Sequence, residues 1–339
     1  MLDPHDAILT ASASGFHPQR SVGFGLFAVI SLMHVGSVRP MIVSRRREAG
    51  MGFDQTMQTT VQWGLTAESL GALGAHLALL DSDGGDAGVL DRLRALSEAA
   101  GLPDLTSLEP PQRAIVRALA RSSLKQALDL LEEPERAPGW AYRDPGVLDG
   151  WGRGSSAVPG MIHAALPEIG DVKELLDVGT GVGLLAIGAT NVWREVAVVG
   201  IDTWEPSLER ARKHVADAGL TDRIELRNQD VIALDDVDRF DCAWVPTFFL
   251  TEPAMVDAVA AVARSVKPGG WIVLGRFLPI SDPIADAMLR LRTYRFGGHL
   301  MDEPRSILLL ESVGCTGIRV AAAPPPVQMA FTVGQKPIG

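Results

Sequence analysis

Short apolar runs alternate with segments of helical periodicity along the second half of the chain. The runs lie at 175–178, 196–202, 239–246 and 266–274, and at 223–231 the apolar residues Ile224 and Leu226 alternate with polar ones, which predicts a further strand. Strands of a parallel sheet are apolar nearly throughout because helices cover both faces of the sheet, and the helical segments between the runs supply the crossovers. Two further runs, 318–322 and 327–333, predict a last pair of strands. The pattern therefore predicts an α/β fold.

A separate helical region precedes these strands. Between residues 51 and 138, apolar residues recur at helical spacing in segments bounded by Gly, Asp or Pro, which predicts helices. The predicted helices are Phe53–Leu80, Val89–Ala100 and Pro110–Leu131. Pro134–Pro138 then forms a linker. We expect a small helical N-terminal domain at 51–138 and an α/β domain at 139–339.

The first fifty residues differ in character from both regions. Ser21–Val38 is an uncharged, largely apolar run of 18 residues, followed by Arg45–Arg47. Ser, Gly and His34 interrupt this run, so it is marginal as a membrane span. Met51 opens a sequence of ordinary domain character. We therefore expect residues 1–50 to be an extension outside the core, with the true start at Met51; a membrane anchor and a loosely ordered tail are the alternatives.

Three glycines at alternate positions connect the first apolar run to a helical segment. Glu174–Ile187 has the sequence ELLDVGTGVGLLAI, with Gly179, Gly181 and Gly183 in the turn. Glycine tolerates positive φ and lets a ligand approach the backbone closely. A dinucleotide-binding loop has the spacing G-x-G-x-x-G, whereas the third glycine here comes one residue earlier. The loop resembles motif I of the class I S-adenosylmethionine-dependent methyltransferases; a glycine-rich turn of another α/β protein is the alternative.

The resemblance continues in order along the chain from Gly150 to the C-terminus. Asp202 follows the second strand, Asp230 follows the third, and the sequence K-P-G-G at 267–270 precedes the fifth. The resemblance implies a doubly wound, Rossmann-like seven-stranded sheet, in which the last two strands form a C-terminal antiparallel hairpin. It also implies S-adenosyl-L-methionine as the cofactor.

Individual cofactor-binding residues follow from the same resemblance. Asp202 corresponds to the acid that binds the ribose hydroxyls in a doubly wound fold, with a cap on the following helix as the alternative. Asp230 resembles the acid that accepts a hydrogen bond from the adenine amine. Trp140 and Trp151 either cover the cofactor or pack between domains. The candidate cofactor-binding residues are Asp177, Gly179, Gly181, Gly183, Asp202, Trp204, Asp230, Val231, Pro246, Tyr142 and Ser155.

Composition narrows the range of partners. The net charge of −10 disfavours a general nucleic-acid binder, because neutralising phosphates requires clustered Lys and Arg. Only two cysteines occur, and no His/Cys cluster has the spacing of a zinc site. We expect a cytoplasmic, metal-free protein that acts on a small molecule, without nucleic-acid or membrane partners. A homodimer through the helical domain is one arrangement that this layout allows.

The acceptor of the methyl group is expected at the mouth of the sheet. Methyl transfer requires an aligned pocket that excludes water, and aromatic residues occur where that pocket should lie. We therefore expect a small, largely apolar or aromatic acceptor between the helical domain and the carboxyl edge of the sheet. The aromatic residues are Trp140, Tyr142, Trp244, Phe248 and Phe249, of which strand alternation buries Trp244.

A general base is required if the acceptor is a phenol or a carbon acid. His299 follows two glycines ahead of the last helix and is the candidate catalytic residue, whereas His163 lies on an apolar helix and is expected in the core. Residues 240–250 contain no His, although several O-methyltransferase families carry one there. The alternatives are an RNA or protein methyltransferase, a non-catalytic S-adenosylmethionine-binding protein and an NAD(P)-type oxidoreductase.

Overall fold

The structure is a computed structural model that describes residues 52–82, 84–324 and 327–338. Its α/β part is built on a seven-stranded sheet in the order β3-β2-β1-β4-β5-β7-β6. The strands are β1 Glu174–Val178, β2 Ala197–Asp202, β3 Ile224–Asn228, β4 Phe240–Pro246, β5 Val266–Phe277, β6 Thr316–Ala322 and β7 Met329–Gln335. The predictions about residues 1–50 concern a segment outside the described residues.

The direction of the strands identifies the edge of the sheet at which a ligand is expected. Strands β1 to β5 pair in parallel, and β7 lies antiparallel between β5 and β6. The strand order reverses at β1 and β4, and ligands of open α/β sheets bind outside the carboxyl ends of the strands at such a point. The predicted doubly wound, seven-stranded sheet with a C-terminal antiparallel hairpin is confirmed.

The K-P-G-G segment differs from its prediction. The sequence predicts a turn ahead of the fifth strand, but β5 already begins at Val266, which pairs with Phe240. Regular pairing resumes at Trp271, opposite Cys242. The four residues between Val266 and Trp271 therefore bulge out of the ladder, with Gly269 at a φ of 80°.

The helices agree with the predicted bounds to within a few residues, with one addition. No helix is predicted at Pro145–Ser155, because the glycines in this segment lower its helix propensity. Asp144 starts the helix by accepting hydrogen bonds from the amides of Gly146 and Val147. The helices are α1 Phe53–Leu80, α2 Ala87–Ala99, α3 Pro110–Glu132, α4 Pro145–Ser155, α5 Val158–Ala165, α6 Leu184–Val192, α7 Glu205–Asp217, α8 Glu252–Ser265, α9 Pro283–Arg295 and α10 Glu303–Ser312.

Two hydrophobic cores lie on the two faces of the sheet, because successive strand residues point to opposite faces. Trp244 is buried in one of them, as predicted. Phe248 belongs to the same core: it is 5% exposed and stacks on Phe277 with ring centroids 4.2 Å apart. The prediction that Phe248 lines the mouth of the acceptor pocket is therefore wrong. The turn Thr247–Phe249 that follows β4 directs this side chain back over the sheet.

The helical region contacts the α/β part through α3, which packs against α4. An ion pair between Arg121 and Asp144 joins the two at 3.0 Å. The first half of α1 is exposed, including Phe53, Trp63 and Leu65. No described helix is both long and apolar enough to cross a membrane. Within the same ranges, no three side chains that could ligate a metal ion lie together.

Candidate functional site

The loop between β1 and α6 forms the floor of the candidate site. Gly179, Gly181 and Gly183 have φ values of 68°, 56° and 77°, a conformation that other residues adopt only at a cost. A Cβ atom added at Gly179 would meet nothing closer than Pro246 Cγ at 3.6 Å, and one at Gly181 nothing closer than 3.9 Å. The space above this loop is therefore open to a ligand, and Pro246 borders it at the end of β4.

A buried carboxylate lies beneath the loop. Asp177 is 1% exposed, and its Oδ2 accepts a hydrogen bond from the Thr180 hydroxyl at 2.7 Å. Its Oδ1 is buried and has no hydrogen-bond partner among the described residues. Burial raises the pKa of Asp177 to about 7, and the negative charge of Asp202 adds to the rise. An unpaired buried carboxylate oxygen suits a cationic donor, such as an ammonium group.

Asp202 ties the glycine loop to the end of β2. Its Oδ2 accepts from the Gly181 amide and its Oδ1 from the Trp204 amide, both at 2.8 Å. Burial raises the pKa of Asp202, and these hydrogen bonds oppose the rise. Trp204, not Asp202, is the N-cap residue of α7, so the alternative of Asp202 as a helix cap is wrong. A carboxylate oxygen can accept more than one hydrogen bond, which leaves Asp202 capacity for a ligand hydroxyl.

The segment before α4 crosses this end of the sheet. The Trp204 indole N–H donates to the Tyr142 carbonyl oxygen at 2.8 Å. The Arg143 guanidinium lies 5.1 Å from the centroid of the Trp204 ring, within cation–π range. Tyr142 therefore adjoins Trp204 through its backbone, while its side chain is 7% exposed and packs on other aromatic rings.

The segment just after β3 provides one hydrogen-bond acceptor and one hydrogen-bond donor. Asp230 lies exposed just beyond β3, and its Oδ1 accepts from the Ile232 amide at 3.0 Å. Val231 is 4% exposed and begins the short helix Val231–Ala233, where a first-turn amide has no acceptor within the helix. A carboxylate beside a free amide is complementary to the amine and ring nitrogen at one edge of adenine.

An aromatic cluster covers the candidate site on another side. It consists of Trp140, Tyr142, Trp151, Phe249 and Phe296. The Trp140 centroid lies between 5.0 and 5.5 Å from those of Tyr142, Phe249 and Phe296, in edge-to-face contact, and Trp151 lies 5.0 Å from Phe296. Such contacts are favourable beyond their burial. The cluster excludes water where the segment before α4, α4 itself, the β4 turn and the end of α9 meet.

Two ring nitrogens matter here, one on Trp151 within the cluster and one on His299 in the loop that follows Phe296. His299 Nδ1 lies 3.1 Å from the Leu250 carbonyl oxygen. A carbonyl only accepts, so Nδ1 carries the hydrogen, and Nε2 of the neutral ring keeps its lone pair. His299 Nε2 and Trp151 Nε1 are both buried without a hydrogen-bond partner among the described residues. The aromatic cluster is thus flanked by one unused acceptor and one unused donor.

Two glycines allow the His299 loop to reach this position. A Cβ atom at Gly298 would lie 2.0 Å from the Phe248 carbonyl oxygen, which no side chain could occupy. Gly297 has a φ of 86°, and its added Cβ atom would lie 3.2 Å from Gly139 Cα. The loop therefore packs directly against the turn after β4 and the segment before α4.

The remaining histidine and serine predictions have different outcomes. The Ser155 hydroxyl donates to the Gly152 carbonyl oxygen of its own helix at 2.8 Å, so a cofactor contact by Ser155 stays a prediction. His163 is exposed and meets Trp193 edge-to-face at 6.3 Å. Its predicted position in the core is wrong, because it lies on the outer face of α5. No sequence pattern marks Phe296 as part of the site, since it meets Trp140 only through the tertiary fold.

Comparisons with known sequences agree with this geometry. Residues 175–270 match the family model described as a methyltransferase domain. The chain is 37% identical over 100 residues to a ubiquinone biosynthesis O-methyltransferase of Thiobacillus denitrificans, covering 30% of this chain and 42% of that protein. It is 33% identical over 110 residues to the 27-O-demethylrifamycin SV methyltransferase of Amycolatopsis mediterranei, covering 32% and 40%. The chain thus spans about two fifths of these curated relatives.

Solved structures match over most of the chain. The mitomycin 7-O-methyltransferase MmcR superposes with a TM-score of 0.60 at 17% identity, covering 84% of this chain and 97% of that one. Human N-acetylserotonin methyltransferase, in complex with SAM, gives a TM-score of 0.59 at 14% identity over 85% and 99%. At these identities the likeness concerns the fold. Residues 175–270 thus match a methyltransferase domain, and most of the chain shares its fold with solved methyltransferases.

Proposed function

We propose that the chain transfers a methyl group from S-adenosyl-L-methionine to a hydroxyl oxygen of a small, largely apolar or aromatic acceptor. The proposal rests on two features of the structure that lie side by side. Beside the open glycine loop and its two carboxylates lies a water-excluding aromatic cluster, bordered by the unpaired Nε2 of His299.

The residues of the loop fit each part of the cofactor. When bound, S-adenosylmethionine supplies an electrophilic methyl group on its sulfonium. Asp177 Oδ1 accepts a hydrogen bond from the ammonium group, and Asp202 accepts from the ribose hydroxyls. Asp230 and the Val231 amide hold the edge of adenine, while Trp204 and Pro246 border the site. Each role uses a lone pair or an amide that the protein leaves unused.

His299 acts as the general base in this proposal. Its Nδ1 is held by the Leu250 carbonyl at 3.1 Å, which fixes both the ring and the tautomer. Nε2 then accepts the proton of the acceptor hydroxyl, and the bound cofactor would supply the methyl group to the hydroxyl oxygen as its S–CH3 bond breaks, leaving S-adenosylhomocysteine. The Trp151 N–H, also unpaired, orients the same oxygen by donating to it. The aromatic rings exclude water, which strengthens both interactions.

The names of similar proteins support oxygen as the methylated atom. The relatives from Thiobacillus denitrificans and Amycolatopsis mediterranei and the mitomycin enzyme are all named for methyl transfer to small molecules, the first and third explicitly to oxygen. The net charge of −10 disfavours RNA as the acceptor. Amines are therefore included in the test as a contrast and are not the expected acceptors.

A panel assay with radiolabelled methyl donor tests the proposal. The panel contains phenols, aliphatic alcohols, aromatic amines, RNA and a mixture of denatured proteins. We expect label in one or more phenols and none in the macromolecules. Label only in amines, RNA or protein contradicts the acceptor class. A protein that binds the donor but labels no compound would be a non-catalytic binder.

We further propose that α1 forms a homodimer contact within a helical domain at 51–138. Phe53, Trp63 and Leu65 are 77%, 59% and 60% exposed, and the burial of large apolar side chains favours association. Light scattering after gel filtration should give twice the chain mass, and Trp63→Glu should give a monomer. A wild-type monomer contradicts this part of the proposal without affecting the cofactor site.

A further inference from the structure

A basic cluster lies next to the aromatic cluster. It consists of Arg136, after α3, and of Arg292 and Arg295, in the last turn of α9. Arg136 Cζ lies 5.0 Å from the centroid of the Tyr142 ring, and its Nη2 lies 3.5 Å from the Tyr142 hydroxyl. Arg295 Nη1 donates to the Glu133 carbonyl oxygen at 3.1 Å. Arg136 and Arg292 therefore meet at the Tyr142 phenol, and Arg295 lies on the same turn of α9 as Arg292.

Within the described residues, carboxylates neutralise the cluster only in part. Its nearest carboxylate is Glu133, whose Oε2 lies 3.8 Å from Arg136 Nη1 and whose side chain is 59% exposed. Arg136 Nε and Arg295 Nη2 are buried without a hydrogen-bond partner among the described residues. The Arg292 guanidinium makes no hydrogen bond or ion pair within that part of the chain, and burial lowers its pKa. Unpaired cations removed from water are costly.

Several other shielded arginines of this chain meet a carboxylate. Arg210 bonds Asp149 through two nitrogens, one of them at 2.8 Å. Arg227 meets Asp236 at 2.7 Å, and Arg276 meets Glu303 at 2.7 Å. The dipole of α9 favours cations in its last turn, and the Glu133 carbonyl satisfies one nitrogen of Arg295. Neither interaction accounts for the buried Nε of Arg136, nor for the Arg292 guanidinium, which meets no carboxylate among the described residues.

We propose that Arg136 and Arg292 bind a carboxylate of a ligand in the candidate site. This inference rests on the proposed function and adds a charge to its acceptor class. A guanidinium binds a carboxylate through parallel hydrogen bonds. The rings of Trp140 and Phe296, whose centroids lie 5.0 Å apart, adjoin the arginines through Tyr142. A planar aromatic acid therefore meets rings and guanidinium groups together. The carboxylate belongs either to the acceptor or to the amino-acid part of the cofactor.

Benzoate and benzamide are matched probes of this site, since they differ in charge but not in shape. Both are titrated into the wild type and the variants Arg136→Gln, Arg292→Gln and Arg290→Gln, with S-adenosylhomocysteine bound. Arg290 lies on the same helix but is 59% exposed and pairs with Asp286 at 2.7 Å, so it is the control. A charged hydrogen bond predicts about tenfold tighter binding of benzoate than of benzamide to the wild type and to Arg290→Gln. The other two variants should lose the preference.

The affinity for S-adenosylhomocysteine in the same variants separates the two sources of the carboxylate. An unchanged affinity together with a lost benzoate preference assigns the site to the acceptor. A fall of about tenfold in Arg136→Gln and Arg292→Gln, but not in Arg290→Gln, assigns it to the cofactor. The inference is overturned if the wild type shows no benzoate preference and neither variant changes cofactor affinity. Failure of the wild type to bind S-adenosylhomocysteine would instead count against the proposed function. The two arginine variants are tested separately, so a single misfolded variant leaves the other as the readout.

Discussion

The cofactor side and the acceptor side of the candidate site are built in different ways. On the cofactor side, Asp177, Asp202 and Asp230 each follow or end a strand, and the glycine loop lies between a strand and its helix. On the acceptor side, Trp140 contacts Phe296 at 5.0 Å although the two are far apart in the sequence. A parallel sheet brings its strand ends together by necessity, whereas the acceptor side depends on how loops and helices pack. The cofactor side can therefore be predicted from a sequence, and the acceptor side cannot.

Replacement of the proposed base should have the largest effect, and it tests the acceptor side alone. His299→Ala should lower kcat by about 10²–10⁴-fold, the usual contribution of a general base, with the acceptor that the panel identifies. Affinity for S-adenosylhomocysteine should not change, because the imidazole contacts the acceptor. His163→Ala is the control, since His163 is exposed on α5. An unchanged kcat in His299→Ala would exclude His299 as the general base.

Two adjacent phenylalanines test where the core ends and the acceptor side begins. Phe248→Ala should lower the free energy of unfolding by about 3–5 kcal/mol, as for other buried Phe deletions. Phe249 is only partly buried, so Phe249→Ala should cost less stability and change acceptor preference instead. Urea unfolding and the acceptor panel measure the two effects. Equal losses of stability in Phe248→Ala and Phe249→Ala would show that Phe249 is a core residue.

Phe248 and Phe249 also show which side-chain positions can be predicted from the sequence. Strand alternation correctly buries Trp244, and the strand ends locate the glycine loop, Asp202 and Asp230. The buried position of Phe248 could not be predicted from the sequence, because a short turn after β4 rotates its side chain back over the sheet. His299 could be selected by its glycine neighbours, but its tautomer depends on a carbonyl from another loop. No sequence pattern marks Arg292, because its lack of a carboxylate partner among the described residues is a consequence of the tertiary fold.

A third prediction concerns the cofactor side. Asp202→Ala removes an acceptor from the ribose and frees the Gly181 amide, which it holds at 2.8 Å. Affinity for S-adenosylhomocysteine should weaken by about 2–3 kcal/mol, the magnitude of hydrogen bonds to a charged group. Asp217→Ala is the control, because Asp217 is exposed and pairs with Lys213 on α7. Calorimetry that gives equal affinities for both variants would exclude the assignment of Asp202.

The smallest effects should come from the protonation of Asp177, whose pKa burial raises to about 7. A carboxylate is required to bind the ammonium group, so affinity for S-adenosylhomocysteine should fall as the pH drops below about 7, by at most tenfold per unit. The ligand-free protein should respond with the opposite sign. Its folded state keeps a proton that the unfolded state loses, so stability from this group decreases as pH rises from about 4 to about 7.

Asp177→Asn provides the matched control for both pH effects. The amide cannot titrate, so the variant should show weak cofactor binding that changes little between about pH 5 and 7. It should also lose the part of the pH dependence of unfolding that Asp177 contributes. If the affinity changes with pH equally in the variant and the wild type, another group causes the effect. Asp202 is then the next candidate, because burial raises its pKa too.

Calorimetric titration of the wild type with S-adenosylhomocysteine and, separately, with NAD tests the central claim most directly. The G-x-G-x-G loop, with Asp177 and Asp202 at its edges, predicts one molecule of S-adenosylhomocysteine per chain and no heat of binding with NAD. Binding of NAD, or no binding of S-adenosylhomocysteine, would contradict the account.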